Sequence, residues 1–170
     1  ETDKVAALTE LIERYADYGE FNGAVLVAEE GKVLYQKGLG MANMEWGIPN
    51  QADTKFRLGS ITKQFTAMLI VQLADEGKLD LQAPISTYLP DYPSENGQQI
   101  TVHHLLTHSS GIPNNYKSTK QKAIRPDHYT AEQLVAEFAD LPLEFAPGSR
   151  FAYCTSGYPV FGMIVEHLTG

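Results

Sequence analysis

The chain has 170 residues, 43% of them hydrophobic and 20% charged, a composition typical of one ordinary soluble domain with enough apolar side chains for a core. Its formal net charge of -8 argues against binding to a nucleic-acid backbone. No apolar run approaches the roughly 20 residues that a membrane-spanning helix needs, and the polar start at Glu1 predicts no signal peptide. Cys154 is the only cysteine, so an internal disulfide is excluded and the redox compartment stays open.

The first third of the chain predicts a helix followed by a β-hairpin. Apolar residues recur at helical spacing from Thr2 to Tyr18, and the glycine that follows is typical of a helix end. Residues 23–28 and 32–37 flank a glycine-containing turn, which predicts a hairpin whose first strand is buried. Because two strands form only a marginal sheet, we expect this hairpin to belong to a larger one. Residues 41–55 show little periodicity and predict a loop.

The rest of the chain predicts mainly helices. One helix is expected from Ser60 onward, and Gly77 stands where it would end. Beyond it, short helical pieces separated by prolines indicate a helical subdomain. Thr101 and Thr130 are placed to cap two of these pieces, and a final helix is predicted over residues 158–168.

A hydroxyl and an amine lie three residues apart at the start of the second helix, in Ser60 and Lys63. Residues at this spacing share a helical face, so the amine can reach the hydroxyl and activate it as a nucleophile. The alternative is that Ser60 caps the helix and Lys63 points to solvent. The spacing alone does not choose between these interpretations.

Three segments occur in the order and with the separations that are found in one known family. They are FRLGSITK at 56–63, LLTHSSGIP at 105–113 and PGSRFAYCTSGY at 147–158. Together they closely resemble the serine β-lactamase-related family, which includes penicillin-binding proteins, class C β-lactamases, D-amino-acid peptidases and β-lactamase-like esterases. The resemblance spans nearly the whole chain, corresponds to the N-terminal half of the family's fold, and favours catalysis by Ser60.

The resemblance implies a role for three residues. Ser60 would be the acylated nucleophile, Lys63 its proton partner, and Tyr153 the tyrosine of the family's Y-x-N motif. A phenol held near an ammonium group can become a phenolate base, and whether the lysine or the tyrosine takes the serine proton stays open. By spacing alone, Tyr153 could instead be a buried aromatic that packs against the last helix.

The chain departs from the family at two places. Thr155 stands where the family has asparagine, and we expect it to contact substrate, although its hydroxyl lacks a carboxamide's reach. Thr155 or Ser156 could also cap the last helix. The family's third motif, a lysine- or histidine-threonine-glycine strand beside the site, has no counterpart. We therefore expect weak or absent activity for this chain alone, and a complementing C-terminal segment or second chain as a partner.

The resemblance implies an α+β fold of the β-lactamase/transpeptidase type with an incomplete sheet. Residues 1–78 and 156–170 would belong to a mixed α/β domain with the N-terminal helix and hairpin, and residues 79–155 would form the mainly helical subdomain. The resemblance also implies a periplasmic or secreted location.

Other side chains have weaker claims to chemistry. His103, His104 and His108 invite a metal site, but a further ligand is lacking, so we expect no metal or cofactor and expect His108 to bond to backbone in a turn. Cys154 is a reactive thiol or, as we expect, a small buried filler. Four tyrosines could line an acyl pocket or belong to the core and loops: Tyr88, Tyr92, Tyr116 and Tyr129.

The sequence thus predicts a serine acyl hydrolase that acts on an ester or amide through an acyl-enzyme on Ser60. The substrate would be a small molecule or peptide, and the sequence does not choose among β-lactams, D-peptides and simple esters. The alternative is a catalytically weak or inactive penicillin-binding-type module.

Overall fold

The computed structural model of the protein describes residues 2–92, 94–114 and 130–170. The chain divides into two compact units, Glu1–Arg57 and Leu58–Gly170. The predicted division into an α/β domain of residues 1–78 with 156–170 and a helical subdomain of residues 79–155 stays a prediction. None of the described helices combines the length and the apolar character that crossing a bilayer requires.

The first unit consists of a helix and two small antiparallel sheets. Its elements in chain order are α1 (Thr2–Asp17), β1 (Gly23–Glu29), β2 (Lys32–Leu39), β3 (Met41–Asn43) and β4 (Ile48–Pro49). β1 pairs with β2 from Gly23 opposite Leu39 to Glu29 opposite Lys32, which confirms the predicted hairpin. β3 pairs with β4 inside the segment that was predicted to be a loop. Strands this short carry too few residues for a periodic pattern.

The hairpin is less buried than its sequence predicts. Leu26 of β1 keeps 58% of its surface exposed, whereas Tyr35 of β2 is buried. α1 contacts β2, and Lys37 and Glu13 form an exposed ion pair between these two elements. Such a pair stabilises by at most about 1 kcal/mol. Burial of the first strand was therefore a wrong expectation for Leu26, because a two-stranded sheet leaves this apolar side chain uncovered.

The second unit is helical. Its helices are α2 (Thr62–Asp75), α3 (Ser94–Gln99), α4 (Val102–Leu106), α5 (Ala131–Ala136) and α6 (Gly157–Thr169), with a 3₁₀ turn at Gly59–Ile61 before α2. The hydroxyl oxygens of Thr101 and Thr130 accept hydrogen bonds from the third residues of α4 and α5, which confirms both predicted caps.

The core of this unit is built around α6, which packs against α2 and α5. Three residues of α6 are fully buried, as is Ile70 of α2: Val160, Phe161 and Ile164. Leu105 of α4 is 2% exposed. Burying a side chain of this size stabilises by about 1.5–3 kcal/mol. This core therefore fixes the start of α6 and the helix that follows Ser60.

The opposite face of α2 is uncovered. Ile61, just before the helix, is 53% exposed, and Phe65, Met68 and Leu69 are 63%, 66% and 50% exposed. These four residues recur at helical spacing and are called the α2 apolar face below. The helix therefore packs on one side and presents apolar surface on the other.

Two glycine turns set the ends of helices near the site. Gly77 follows α2 with φ +70, and its N–H bonds to the carbonyl of Ala74, as a glycine helix end requires. Gly111 follows α4 with φ +77, and a Cβ there would lie 2.2 Å from the carbonyl oxygen of Phe145. Only glycine fits this close approach, which holds the turn after α4 against the segment that leads to Tyr153.

Candidate active site

Ser60 lies in the 3₁₀ turn that leads into α2, and its side chain is exposed. Lys63 stands in the first turn of α2, where its Nζ donates a hydrogen bond to Ser60 Oγ over 3.4 Å. The residue immediately before α2 is Ile61, which makes no side-chain cap bond. The interpretation of Ser60 as the cap of this helix is therefore wrong. The hydroxyl and the amine share one face, as their spacing predicts.

Tyr153 completes the group from a distant part of the chain. Its hydroxyl donates to Ser60 Oγ over 2.8 Å, although the two residues are 93 positions apart. The side chain is 44% exposed, so the alternative of a buried core aromatic is wrong. The structure thus brings together Ser60, Lys63 and Tyr153, with the serine oxygen within hydrogen-bonding distance of both the phenol and the amine.

Lys63 controls the electrostatics of this group. Its hydrogen-bonding interaction is the largest cause that lowers the pKa of the Tyr153 phenol, and the bond with Ser60 acts in the same direction. The amine also lies 5.1 Å from the ring centre of Tyr153 and 5.0 Å from that of Tyr158. Cations near aromatic faces are attracted by the ring, so the two rings steady the amine beside the serine. A lowered phenol pKa makes the phenolate more available as a base.

His108 contacts the ring of Tyr153 and the backbone on both sides of it. Its φ of +54 lies in the left-handed region, and its Nδ1 accepts a hydrogen bond of 3.2 Å from the N–H of Cys154. Its carbonyl oxygen accepts from the N–H of Ala152 over 2.8 Å, and its ring centre lies 4.6 Å from that of Tyr153. Burial, and then the charge of Lys63, lowers the pKa of His108. The neutral imidazole keeps Nδ1 as an acceptor, and the predicted bond from His108 to backbone is confirmed.

His103 and His104 have structural contacts. His104 Nδ1 accepts a hydrogen bond from the N–H of Thr101 in the cap of α4, and the ring of His103 lies edge-on to it. Within residues 2–92, 94–114 and 130–170, no group of three or more His, Cys, Asp or Glu side chains is arranged to hold a metal ion. The expectation that no cofactor is needed stays a prediction.

The two residues after Tyr153 differ in their surroundings. Cys154 is 5% exposed, its Sγ donates to the carbonyl of Ile112, and burial raises the pKa of its thiol, so it is a buried filler and not a reactive thiol. Thr155 is half-buried, and its carbonyl accepts from Tyr158 N at the start of α6. Its main chain rather than its hydroxyl makes this helix-start contact. A contact between Thr155 and substrate stays a prediction.

The tyrosines proposed for an acyl pocket lie elsewhere. Tyr88 and Tyr92 are 8% and 5% exposed, and Tyr88 Oη accepts from the N–H of Asp80. Both line a cavity of about 670 Å³ between α5 and α6, and Ser60 is not among the residues that line it. They are core residues away from the nucleophile. Tyr116 and Tyr129 lie outside the described residues.

Sequence reasoning missed two residues at this site. Tyr158 lies in the first turn of α6, and its ring centre is 5.0 Å from the Lys63 amine. Its place at the end of the third family-like segment was the available signal. Asn114 donates through Nδ2 to the carbonyl of Tyr153 over 3.3 Å, and its Oδ1 accepts from the N–H of Thr155 over 3.3 Å. Its position directly after the G-I-P turn was the available signal, but 39 residues separate it from the tyrosine.

Comparison with known proteins identifies the family of this chain. The family profile described as Beta-lactamase matches residues 8–170, so the chain belongs to the beta-lactamase family. It is 35% identical over 164 residues to "Esterase EstB" of Burkholderia gladioli, covering 87% of this chain and 41% of that protein.

Solved structures agree in fold. The crystal structure of FmtA from Staphylococcus aureus has a TM-score of 0.79 and 30% identity, over 94% of this chain and 43% of FmtA. The octameric penicillin-binding protein homologue from Pyrococcus abyssi has a TM-score of 0.74 and 34% identity, over 99% of this chain and 39% of that one. The predicted family and β-lactamase/transpeptidase-like fold are confirmed. The chain spans about two fifths of the length of these relatives.

Proposed function

We propose that this protein is a serine acyl hydrolase that acts on an ester or amide through an acyl-enzyme on Ser60. One observation carries the proposal: the Ser60 oxygen lies within hydrogen-bonding distance of both the Tyr153 phenol and the Lys63 amine. A nucleophile within reach of a base, with the base held by a third group, is the arrangement that covalent acyl transfer needs. Membership of the beta-lactamase family supports it.

Acylation begins with the Tyr153 phenolate, which the neighbouring amine stabilises. The phenolate takes the proton of Ser60 across 2.8 Å, and Oγ attacks the substrate's carbonyl carbon. When the tetrahedral intermediate collapses, the bond to the leaving alcohol or amine breaks, and the proton held by Tyr153 passes to that group. The products of this step are the acylated Ser60 and the free alcohol or amine.

Deacylation repeats the same chemistry with water. The Tyr153 phenolate accepts a proton from a water molecule that attacks the acyl carbon, and the proton passes to Ser60 Oγ as the ester bond breaks. The exposed position of Ser60 and Tyr153 gives water direct access to the acyl group. The carboxylic acid leaves and the serine is regenerated.

Among the substrate classes, we propose esters first. EstB carries the name of an esterase, and the Pyrococcus abyssi relative that of a penicillin-binding protein homologue. Thr155, which stands where an asparagine is expected, offers a hydroxyl and not a carboxamide for binding a substrate amide. An ester needs no such contact and has a better leaving group. β-Lactams and D-peptides remain in the panel of substrates to be tested.

We also propose that a further segment, from a C-terminal extension or a second chain, completes the fold. The α2 apolar face exposes four large side chains, and Leu26 of the hairpin is 58% exposed. An apolar face such as that of α2 is typical of a contact surface. The same segment would supply the lysine- or histidine-threonine-glycine strand that the sequence lacks. Loss of one oxyanion donor costs about a hundred- to thousandfold in rate, so the chain alone would be slow.

The second candidate function is a binding module that is acylated or binds reversibly without turnover. The threonine at position 155 and the missing third motif favour it. The two functions differ in turnover, which is the quantity to measure. A stable adduct without product release would support the binding module.

The test is a panel of p-nitrophenyl esters, a chromogenic β-lactam and a D-alanyl peptide, each measured with the wild-type protein and with Ser60→Ala. We expect ester hydrolysis above background that disappears in the variant. Asp53→Ala, at an exposed position of the first unit, serves as a control for the effects of mutagenesis. Equal rates for wild type and Ser60→Ala would contradict the proposal.

A further inference from the structure

The segment that carries Tyr153 has no regular secondary structure. Residues 151–154 belong to neither helix nor strand, and α6 begins only at Gly157. A phenol on such a segment cannot depend on a helix or sheet to hold it 2.8 Å from Ser60 Oγ. Contacts from another part of the chain must therefore fix its backbone.

Those contacts come from the turn after α4, and they fall into two sets. His108 binds the N–H groups of Ala152 and Cys154, at 2.8 and 3.2 Å. Asn114 binds the carbonyl of Tyr153 and the N–H of Thr155, each at 3.3 Å. His108 binds residues 152 and 154, and Asn114 binds residues 153 and 155, so the two sets of bonds alternate along the segment. The two neighbours of a central β-strand bind its residues in the same alternating way.

The Asn114 carboxamide can form both of its bonds because it carries a donor and an acceptor. Its Nδ2 donates to one main-chain group and its Oδ1 accepts from the next, so both ends of the side chain are used. An aspartate would offer only acceptors and an alanine neither group. The two bonds also define which end of the carboxamide is oxygen and which is nitrogen.

We propose that Asn114 is a positioning residue for Tyr153: its side chain binds the backbone on both sides of Cys154 and so holds the phenol on the Ser60 oxygen. This inference rests on the proposed function, because Tyr153 acts there as the base. The two side-chain bonds of Asn114 go to main-chain atoms of Tyr153 and Thr155 and not to Ser60 or the phenol oxygen. A misplacement of about 1 Å can cost about a hundredfold in rate, so we expect Asn114→Ala to slow acylation by about ten- to a hundredfold.

Asn96 offers a matched control in the same compact unit. Its Nδ2 donates to the carbonyls of Ala139 and Leu141, at 2.8 and 3.0 Å, so it too binds a distant stretch of main chain. Asn96→Ala removes the same atoms and a comparable number of bonds away from the tyrosine. A purely structural effect would appear in both variants.

The experiment measures two quantities in wild type, Asn114→Ala and Asn96→Ala. The first is the rate at which a fluorophosphonate probe acylates Ser60. The second is the titration of Tyr153, followed by carbon NMR of protein labelled at tyrosine Cζ and assigned by the signal missing from Tyr153→Phe. In Asn114→Ala we expect the tyrosine midpoint to rise towards that of an ordinary phenol and acylation to slow. Asn96→Ala should change neither. Asn114→Asp, which keeps the acceptor and the size of the side chain, repeats the test if alanine prevents folding.

The outcomes separate the two proposals. An unchanged Tyr153 titration in Asn114→Ala overturns the positioning role, whether or not acylation slows. Equal effects in Asn114→Ala and Asn96→Ala also overturn it. Failure of wild type to be acylated counts against the proposed function, while the NMR titration still reports on Asn114.

Discussion

Replacing Tyr153 by phenylalanine removes one oxygen and leaves the rest of the site in place. That oxygen is the atom 2.8 Å from Ser60 Oγ. The ring contacts with His108, at 4.6 Å between centres, and with the Lys63 amine do not use the hydroxyl. Because the side chain is 44% exposed, its loss leaves no unpaired polar group in the core. We therefore expect the free energy of unfolding to change by less than about 0.5 kcal/mol.

The expected kinetic effect is much larger. A positioned base contributes about 10²–10⁴ in rate, which corresponds to about 3–5.5 kcal/mol of activation free energy. The Lys63 ammonium still lies 3.4 Å from the serine oxygen and favours its deprotonation, so part of the activation is retained. We therefore expect acylation in Tyr153→Phe to slow by about a hundred- to thousandfold, at the lower end of this range.

The assay is the pseudo-first-order rate of Ser60 labelling by a fluorophosphonate, followed by intact mass. Tyr158→Phe is the control, because it loses the same atom from a second ring beside Lys63 that makes no bond to Ser60 in this structure. We expect its rate to stay within about threefold of wild type. If Tyr153→Phe is acylated as fast as Tyr158→Phe, the tyrosine is not the base and the proposed mechanism of acylation is wrong.

Charge and backbone geometry lead to three further predictions. Lys63→Met removes the main cause of the lowered Tyr153 pKa, so that pKa should rise. The acid limb of the pH–rate profile of any residual acylation should then move to higher pH. An unmoved limb would count against the interaction of Lys63 with Tyr153. Gly111→Ala places a Cβ 2.2 Å from a main-chain carbonyl oxygen, so the free energy of unfolding measured in urea should fall by about 2–5 kcal/mol. Gly77→Ala is the control, because a Cβ there meets open space and only the left-handed backbone is strained, so the loss should be about 1–2 kcal/mol. Equal losses in the two variants would contradict the clash at Gly111. Burial lowers the pKa of His108, so its neutral form contributes stability above the ordinary histidine pKa of about 6.5, and this contribution is lost as pH falls below that value. His108→Gln should therefore lose less unfolding free energy between pH 7 and pH 5 than wild type. Parallel plots of unfolding free energy against pH would refute this.

The local elements were the most predictable part of the fold. Residue periodicity predicted α1 and α6, helped by a glycine end for α1 and a first-turn proline for α6, and threonine caps predicted α4 and α5. Each of these signals lies within or beside the element that it describes. The short pairing of β3 with β4 was missed, since two to three residues per strand carry no pattern. The exposure of the α2 apolar face was also beyond sequence reasoning, because periodicity shows that a face is apolar and not whether anything covers it.

The site likewise had contacts that the sequence predicted and contacts that it did not. The spacing of Ser60 and Lys63 predicted their contact from helix geometry alone. Tyr153 depended on the family resemblance, because its contact with Ser60 spans 93 residues. Asn114 was missed because its contact with the backbone of Tyr153 spans 39 residues, and its place after the G-I-P turn does not indicate such a contact. Physical reasoning on one sequence therefore finds local pairs, and the fold reveals the distant supports.

The central claim is that Ser60 is a nucleophile activated by its neighbours, and acylation of that one side chain tests it most directly. The purified protein and its Ser60→Ala variant would be exposed to a fluorophosphonate and to a β-lactam, and then compared by intact mass and by peptide mapping. We predict one adduct per molecule on the peptide that contains Ser60, and no adduct in the variant. Labelling at another residue, or equal labelling of the variant, would contradict the account.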